Sequence, residues 1–239
     1  MNNIEKTVIM AKNVVIGNNC TIGHNVIIHD NVEIGNNVRI DDNTIIGKLP
    51  MFSPRSIFKP EKEWKKTIIG DNCQIGANVI IYIQSTIGKS NLIADYASIR
   101  ENVSIAEMNI IGRGVCIENY TQIGSFNKIE TNAYITAYSQ IDDYCFIAPC
   151  VVTSNDNFVG RDKERFKHFK GITMKKGARI GANATILPGV ILDADCLVGA
   201  GAVVTRNIPT KEIWCGNPAK YLRNISESQE LSNNVEVNL

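Results

Sequence analysis

Every sixth residue of this chain is a large aliphatic side chain. From Ile4 the positions run Met10, Ile16, Ile22, Ile28, Ile34, Ile40 and Ile46. The frame breaks, resumes at Ile69 and then holds isoleucine at fourteen consecutive sixth positions through Ile147. After a second break it continues as Met174, Ile180, Ile186, Leu192, Val198 and Val204. A helix repeats about every 3.6 residues and a strand about every 2, so a period of six belongs to neither alone. It fits short extended sides joined by tight corners, with one aliphatic side chain per side filling a common interior.

The remaining positions of the hexad agree. The residue after the aliphatic is often glycine, as at Gly17, Gly23, Gly76 and Gly181, and the next two are turn formers such as Asn18-Asn19 or Asp71-Asn72. Gly, Asn and Asp tolerate positive φ, which a sharp corner demands. Four residues after the aliphatic comes a small or β-branched residue, for example Cys20, Val26, Ala97 or Thr121. Each side then pairs with the equivalent side of the next coil, and the whole is an all-β solenoid.

This pattern resembles the hexapeptide-repeat family, and the resemblance covers about residues 4–222. It implies a left-handed parallel β-helix, residues 1–222, in which three hexads make one triangular coil of eighteen residues. The left hand is carried by the resemblance alone, since crossovers between parallel strands are ordinarily right-handed. Residues 223–239, rich in Asn, Ser and Glu, form a short tail expected to be a helix or a frayed end.

Two segments interrupt the frame. The first, 48–68, holds three prolines, Phe52, Phe58, Trp64 and six basic residues; the second, 154–173, is again basic and aromatic. Long loops in a regular scaffold are commonly functional, and aromatic content argues against simple disorder.

Composition narrows the partners. A net charge of +1 offers no electrostatic reason to expect nucleic acid or an anionic membrane. No apolar run approaches the length of a membrane span, and MNNIEKTVIM lacks the apolar core of a signal peptide. Seven cysteines without CxxC spacing argue against a disulfide framework and for a reducing cytoplasm.

The C-terminal run IGANATILPGVILDADCLVGAGAVVTRNIP, followed by CGNPAK, resembles the acyl-CoA-binding end of hexapeptide acyltransferases. The resemblance implies that small residues at Gly181, Ala182, Gly199 and Ala200 leave room for a pantetheine arm. Lys175, Lys176 and Arg206 are then candidates for its phosphates. The segments GRGVCIEN, ETNAYITAYSQI and IAPCVVTSNDN, with GKLPM before the first interruption, resemble N-acyltransferases of dTDP-linked amino-dideoxysugars; related enzymes use UDP-sugars. Homotrimeric assembly, with cofactor grooves between neighbouring helices, follows from the same resemblance.

Within the unbroken frame, residues eighteen apart should stack at about 4.8 Å per layer. One corner column reads Ile83, Glu101, Asn119, Ala137, Asn155, and the next reads Gln84, Asn102, Tyr120, Tyr138, Asp156. Asp95, Glu101 and Asp156 are the candidate catalytic carboxylates. Asn119, Tyr138 and Asn155, with Phe52 and Trp64 of the first interruption, are candidates for the sugar nucleotide. No metal is expected. Of the three histidines, His24 and His29 fall in the N-terminal coils and His168, in the second interruption, is the only plausible base; so thin a supply suits an amine acceptor better than a hydroxyl. The expected activity is acyl-CoA-dependent N-acylation of a dTDP-linked 3- or 4-amino-deoxysugar. The alternatives are O-acetyl transfer to serine or a sugar hydroxyl, a γ-class carbonic anhydrase, whose three metal-binding histidines this spacing does not supply, and a non-catalytic β-helix subunit.

Overall fold

The computed structural model describes residues 1–56 and 63–234. Phe58 of the first interruption lies outside the described residues. The chain winds as a triangular prism of three parallel sheets, with 12, 10 and 9 strands. Its first face opens with Asn3–Ile4, its second with Ile9–Met10 and its third with Val15–Ile16. Asn3 pairs with Thr21, Ile9 with Ile27 and Val15 with Glu33, each eighteen residues on. Three sides therefore make one coil, and the architecture is the left-handed parallel β-helix expected.

Three edges join the faces: edge 1 between the first and second, edge 2 between the second and third, and edge 3 between the third and the first face of the next coil. Both interruptions spring from edge 2. The first leaves after Ile45–Lys48 and re-enters at Thr67–Ile69; the second leaves after Val152–Thr153 and re-enters at Thr173–Met174. Pairing resumes across each without loss of frame, so that Arg39 meets Gln74 and Gln140 meets Thr173.

The aliphatic hexads form the core. Each of the fourteen isoleucines from Ile69 to Ile147 is at most 3% exposed. Burying such a side chain contributes about 1.5–3 kcal/mol relative to leaving it in water.

One column of the interior is polar. At edge 3, Cys20, Cys73, Asn91, Asn109, Asn127, Cys145 and Cys196 occupy equivalent positions, all buried. The thiols of Cys20, Cys73 and Cys145 donate to carbonyls of the next coil, at Gly35 (3.2 Å), Gly88 (3.0 Å) and Lys175 (3.3 Å). The Asn91 amide donates to the Ala106 carbonyl at 2.7 Å, and its oxygen accepts the Asn109 N–H at 2.8 Å. Burial pushes the Cys145 and Cys196 thiols up to about 12. Four of the seven cysteines, scattered along the sequence, thus share one interior column, and three of them, Cys20, Cys73 and Cys145, are satisfied donors.

The tail begins as a strand before the short helical turns expected of it. Lys220–Asn224 pairs antiparallel with Glu212–Cys215 and closes the first face, so the expected boundary after residue 222 falls inside a strand. Two 3₁₀ turns, Glu227–Gln229 and Leu231–Asn233, then fold back, and the Leu231 N–H donates to Asp195 at 3.2 Å.

Candidate functional site

The coils between the two insertions leave a strip along edge 2. Three side-by-side columns run up it: Tyr82, Arg100, Glu118, Thr136, Ser154; then Ile83, Glu101, Asn119, Ala137, Asn155; then Gln84, Asn102, Tyr120, Tyr138, Asp156. The first insertion is anchored at the lower end of the strip, where the Lys65 N–H donates to the buried Gln84 side chain at 2.9 Å. Phe52 and Trp64 of this insertion are half-buried.

Charge is concentrated at the middle of the strip. Arg100 grips Glu101 with two nitrogens, at 2.8 and 3.0 Å, in the bidentate geometry that suits guanidinium and carboxylate. The Arg100 guanidinium and the Lys48 ammonium each lie 4.9 Å from the centre of the Tyr82 ring. Arg100 also reaches Glu118 at 3.5 Å. Burial holds the Glu118 carboxyl above its usual range; Arg100 pulls it back and Glu101 adds to the rise. Above this cluster, the exposed rings of Tyr120 and Tyr138 stack with centres 5.3 Å apart and planes 2° from parallel. Asn119 is 2% exposed, and its amide nitrogen is buried without a hydrogen-bond partner. Such a donor costs free energy unless something supplies an acceptor.

At the upper end, Asp156 organises the second insertion. Its carboxylate accepts the N–H groups of Phe158 and Gly160, both at 2.9 Å, and pairs with Arg165 at 3.1 Å. Partial desolvation opposes the charge, yet these N–H groups and Arg165 hold the carboxyl below its usual range. Arg165 packs against Phe166 and Phe169, and Phe158 stacks on His168 at 5.9 Å. A cleft of about 340 Å³ opens between Phe158, His168, Lys170 and Gly189.

The structure brings together Glu101, Asn119, Tyr138, Asn155 and Asp156 on edge 2, with the first insertion beside them. It does not bring Asp95 there. Asp95 sits on edge 1, where its carboxylate accepts the Ala77 N–H at 2.9 Å, the same corner-capping contact that Asp143 makes with Ser125. The seven cofactor candidates lie on three different edges: Lys175 and Lys176 on edge 3, Gly181, Ala182, Gly199 and Ala200 on edge 1, Arg206 on edge 2. A Cβ at Gly181 would stand 2.6 Å from the Ala200 nitrogen, and one at Gly199 2.8 Å from the Cys215 Cβ. These glycines are bare because the next coil passes over them, as it does over Gly17 and Gly70. A bulky residue at Gly199 would therefore strain the coil itself. Lys176 stacks over Tyr144 at 5.3 Å, and Lys175 faces Asp142 at 3.7 Å.

Arg100, Glu118, Tyr82 and Tyr120 were not among the candidates read from the sequence. Their signal was available, since 82, 100 and 118 form an eighteen-residue column directly beside the Glu101 column.

Among the described residues no three His, Cys, Asp or Glu side chains gather into a metal-ligating group. His24 and His29 lie on low coils, on edges 1 and 2, and His168 lies in the second insertion.

Comparison with known proteins fits this architecture. A family model described as bacterial transferase hexapeptide (six repeats) matches residues 171–206, and one described as the GMPPB C-terminal domain matches residues 4–102. The chain is 53% identical over 47 residues to a dTDP-3-amino-3,6-dideoxy-alpha-D-galactopyranose 3-N-acetyltransferase of Aneurinibacillus thermoaerophilus, covering 20% of this chain and 24% of that protein. It is 29% identical over 149 residues to the mitochondrial gamma carbonic anhydrase 2 of Arabidopsis thaliana, covering 60% of this chain. The chain spans about half the length of the carbonic anhydrases it matches. Among solved structures, the UDP-N-acetylglucosamine O-acyltransferase of Moraxella catarrhalis RH4 superposes with a TM-score of 0.53 at 19% identity, covering 94% of this chain and 76% of that one, a likeness of fold. The hexads in register through three parallel sheets, with the hexapeptide-transferase match over residues 171–206, make the chain a left-handed β-helix of hexapeptide repeats, similar to hexapeptide-repeat acyltransferases.

Proposed function

We propose that the protein transfers an acyl group from acyl-CoA to the amine of a dTDP-linked 3- or 4-amino-deoxysugar. The observation that carries this reading is the strip on edge 2. Both insertions leave the prism at that edge, five coils apart, which is roughly 24 Å at the spacing of paired strands. Between them lie carboxylates, a guanidinium, two unpartnered amides (Asn102 and Asn119) and a stacked tyrosine pair. That is a length and a set of contacts suited to a sugar, a diphosphate and a base. The high local identity to a dTDP-amino-sugar N-acetyltransferase supports the same substrate class.

In this reading Tyr120 and Tyr138 offer flat faces for a ring, Asn119 and Asn155 meet sugar hydroxyls, and Phe52 and Trp64 border the nucleotide. Glu101 and Asp156 hold the site's frame through Arg100 and Arg165. Of the three histidines only His168 lines a cleft, in the second insertion, and an amine, unlike a hydroxyl, is a competent nucleophile once neutral without such a base. Acyl-CoA candidates spread over three edges can border one groove only where different copies contribute different edges, which agrees with a homotrimer. The protein works in the cytoplasm, where nucleotide sugars and CoA thioesters are both substrates for soluble enzymes.

Mass spectrometry of products from a panel of dTDP- and UDP-linked amino sugars with several acyl-CoAs tests the reading. The expected result is a single N-acylated dTDP-sugar. Acylation confined to hydroxyl acceptors such as serine or maltose, or no transfer to any amine, overturns it.

A further inference from the structure

Three carboxylates, Glu101, Glu118 and Asp156, lie on the active strip, and two of them are already committed. Asp95 caps a corner on another edge. Both oxygens of Glu101 are held by Arg100, and its side chain is only 6% exposed. Asp156 is tied to two backbone N–H groups and Arg165. Glu118 differs: its side chain is 25% exposed, and its contact with Arg100, at 3.5 Å, is longer than a good charge-assisted hydrogen bond. One guanidinium thus serves two carboxylates, and Glu118 is the one left with unmet demand for a cation. Among the described residues its charged and titratable neighbours are Arg100, Glu101, Cys116 and Tyr134, of which Arg100 is the cation.

We propose that Glu118 receives the acceptor amine, binding its ammonium form and taking its proton. This rests on the reading that the acceptor is an amino sugar. Asn119, the next residue, carries a buried side-chain nitrogen without a hydrogen-bond partner. In the step itself, the ammonium N–H bond breaks and the proton passes to the Glu118 carboxylate. The neutral amine attacks the thioester carbonyl, the C–S bond breaks, and the departing thiolate takes the second proton from nitrogen. Glu118 then returns its proton to solvent. The raised proton affinity of the half-buried Glu118 narrows the gap to a sugar ammonium and makes the transfer less uphill. Arg100 and Glu101 are positioning residues, since they act through Glu118.

The test compares Glu118→Gln, Glu118→Asp and wild type. The expected loss in kcat/KM for E118Q is at least about 100-fold, the size associated with a lost general base, with the acid limb of the pH profile displaced. E118D should retain that limb. Calorimetry without acyl-CoA gives a second readout. Wild type should bind the free-amine nucleotide sugar about tenfold more tightly than its N-acylated counterpart, and E118Q should bind the two alike. A folded E118Q within about threefold of wild type in kcat/KM, or one that keeps the preference for the free amine, overturns the assignment while leaving N-acylation standing. If wild type N-acylates no amino sugar in the panel, the functional reading fails and this assignment falls with it.

Discussion

The lower coils and the middle coils share one backbone and one core but differ at their corners. From Asn19 to Asn78 every non-glycine corner residue with positive φ in the described coils is asparagine. From Gln84 to Cys150 the same turn, at φ between 58° and 64°, carries Tyr96, Met108, Tyr120, Phe126, Tyr138 and Tyr144 as well. Asparagine tolerates the left-handed region because its short side chain bonds locally, whereas a bulky residue there is strained. The lower coils therefore show what the fold alone requires. The middle coils accept strain the fold does not ask for; of these six corners Tyr120 and Tyr138 lie on the strip between the insertions, Tyr96 on edge 1 and Met108, Phe126 and Tyr144 on edge 3. Strain retained against the local rule is a pointer to function.

The comparison breaks first if the core itself is not uniform. Ile28→Ala in the lower coils and Ile99→Ala in the middle coils remove equally buried side chains. Each should cost about 2–5 kcal/mol in denaturant unfolding. A loss confined to one region would mean that the coils differ in packing, not only at their corners.

The corners offer a finer test. Tyr96 is 64% exposed on edge 1, so Tyr96→Asn should stabilise by about 1 kcal/mol without touching activity. Tyr120→Asn and Tyr138→Asn relieve the same strain but lose a ring stack of similar worth. Their stability should hardly move, while the Michaelis constant for the nucleotide sugar rises about tenfold. Unchanged kinetics in both variants would make the aromatic corners a feature of packing.

The smallest expected effects are at the histidines. His24→Asn, His29→Asn and His168→Asn should each lose less than about tenfold in turnover, roughly 1.4 kcal/mol of barrier. A thousandfold loss at His168 with sugar binding intact would instead place a general base in the second insertion and displace Glu118 from that role.

The prism, its core and its two interruptions were legible from the hexads because interior volume repeats with the coil. The common edge of the insertions was legible too, by counting. Thr153 lies fourteen hexads after Ile69, and one more side spans the first insertion, so the exits stand five whole coils apart. The same count separates Lys176, Gly181 and Arg206 onto three edges. Charge pairing was not legible. That Arg100 forks Glu101 and leaves Glu118 half-free depends on rotamers within one layer, which periodicity does not specify. The roles of glycine were ambiguous for a related reason: Gly199 reads alike whether a ligand or the next coil fills the space above it.

The polar column at edge 3 gives the molecule an internal gauge of where it opens. Cys20, Cys73, Cys145 and Cys196 sit at four heights along the prism, each sealed and hydrogen-bonded or shifted out of the thiolate range, whereas Cys150 lies exposed. Thiolate, not thiol, reacts with alkylating reagents. A quasi-one-dimensional stack unravels coil by coil rather than all at once. The order in which these four sulfurs become reactive under mild denaturant would trace that unravelling from either end, with no label added to the chain.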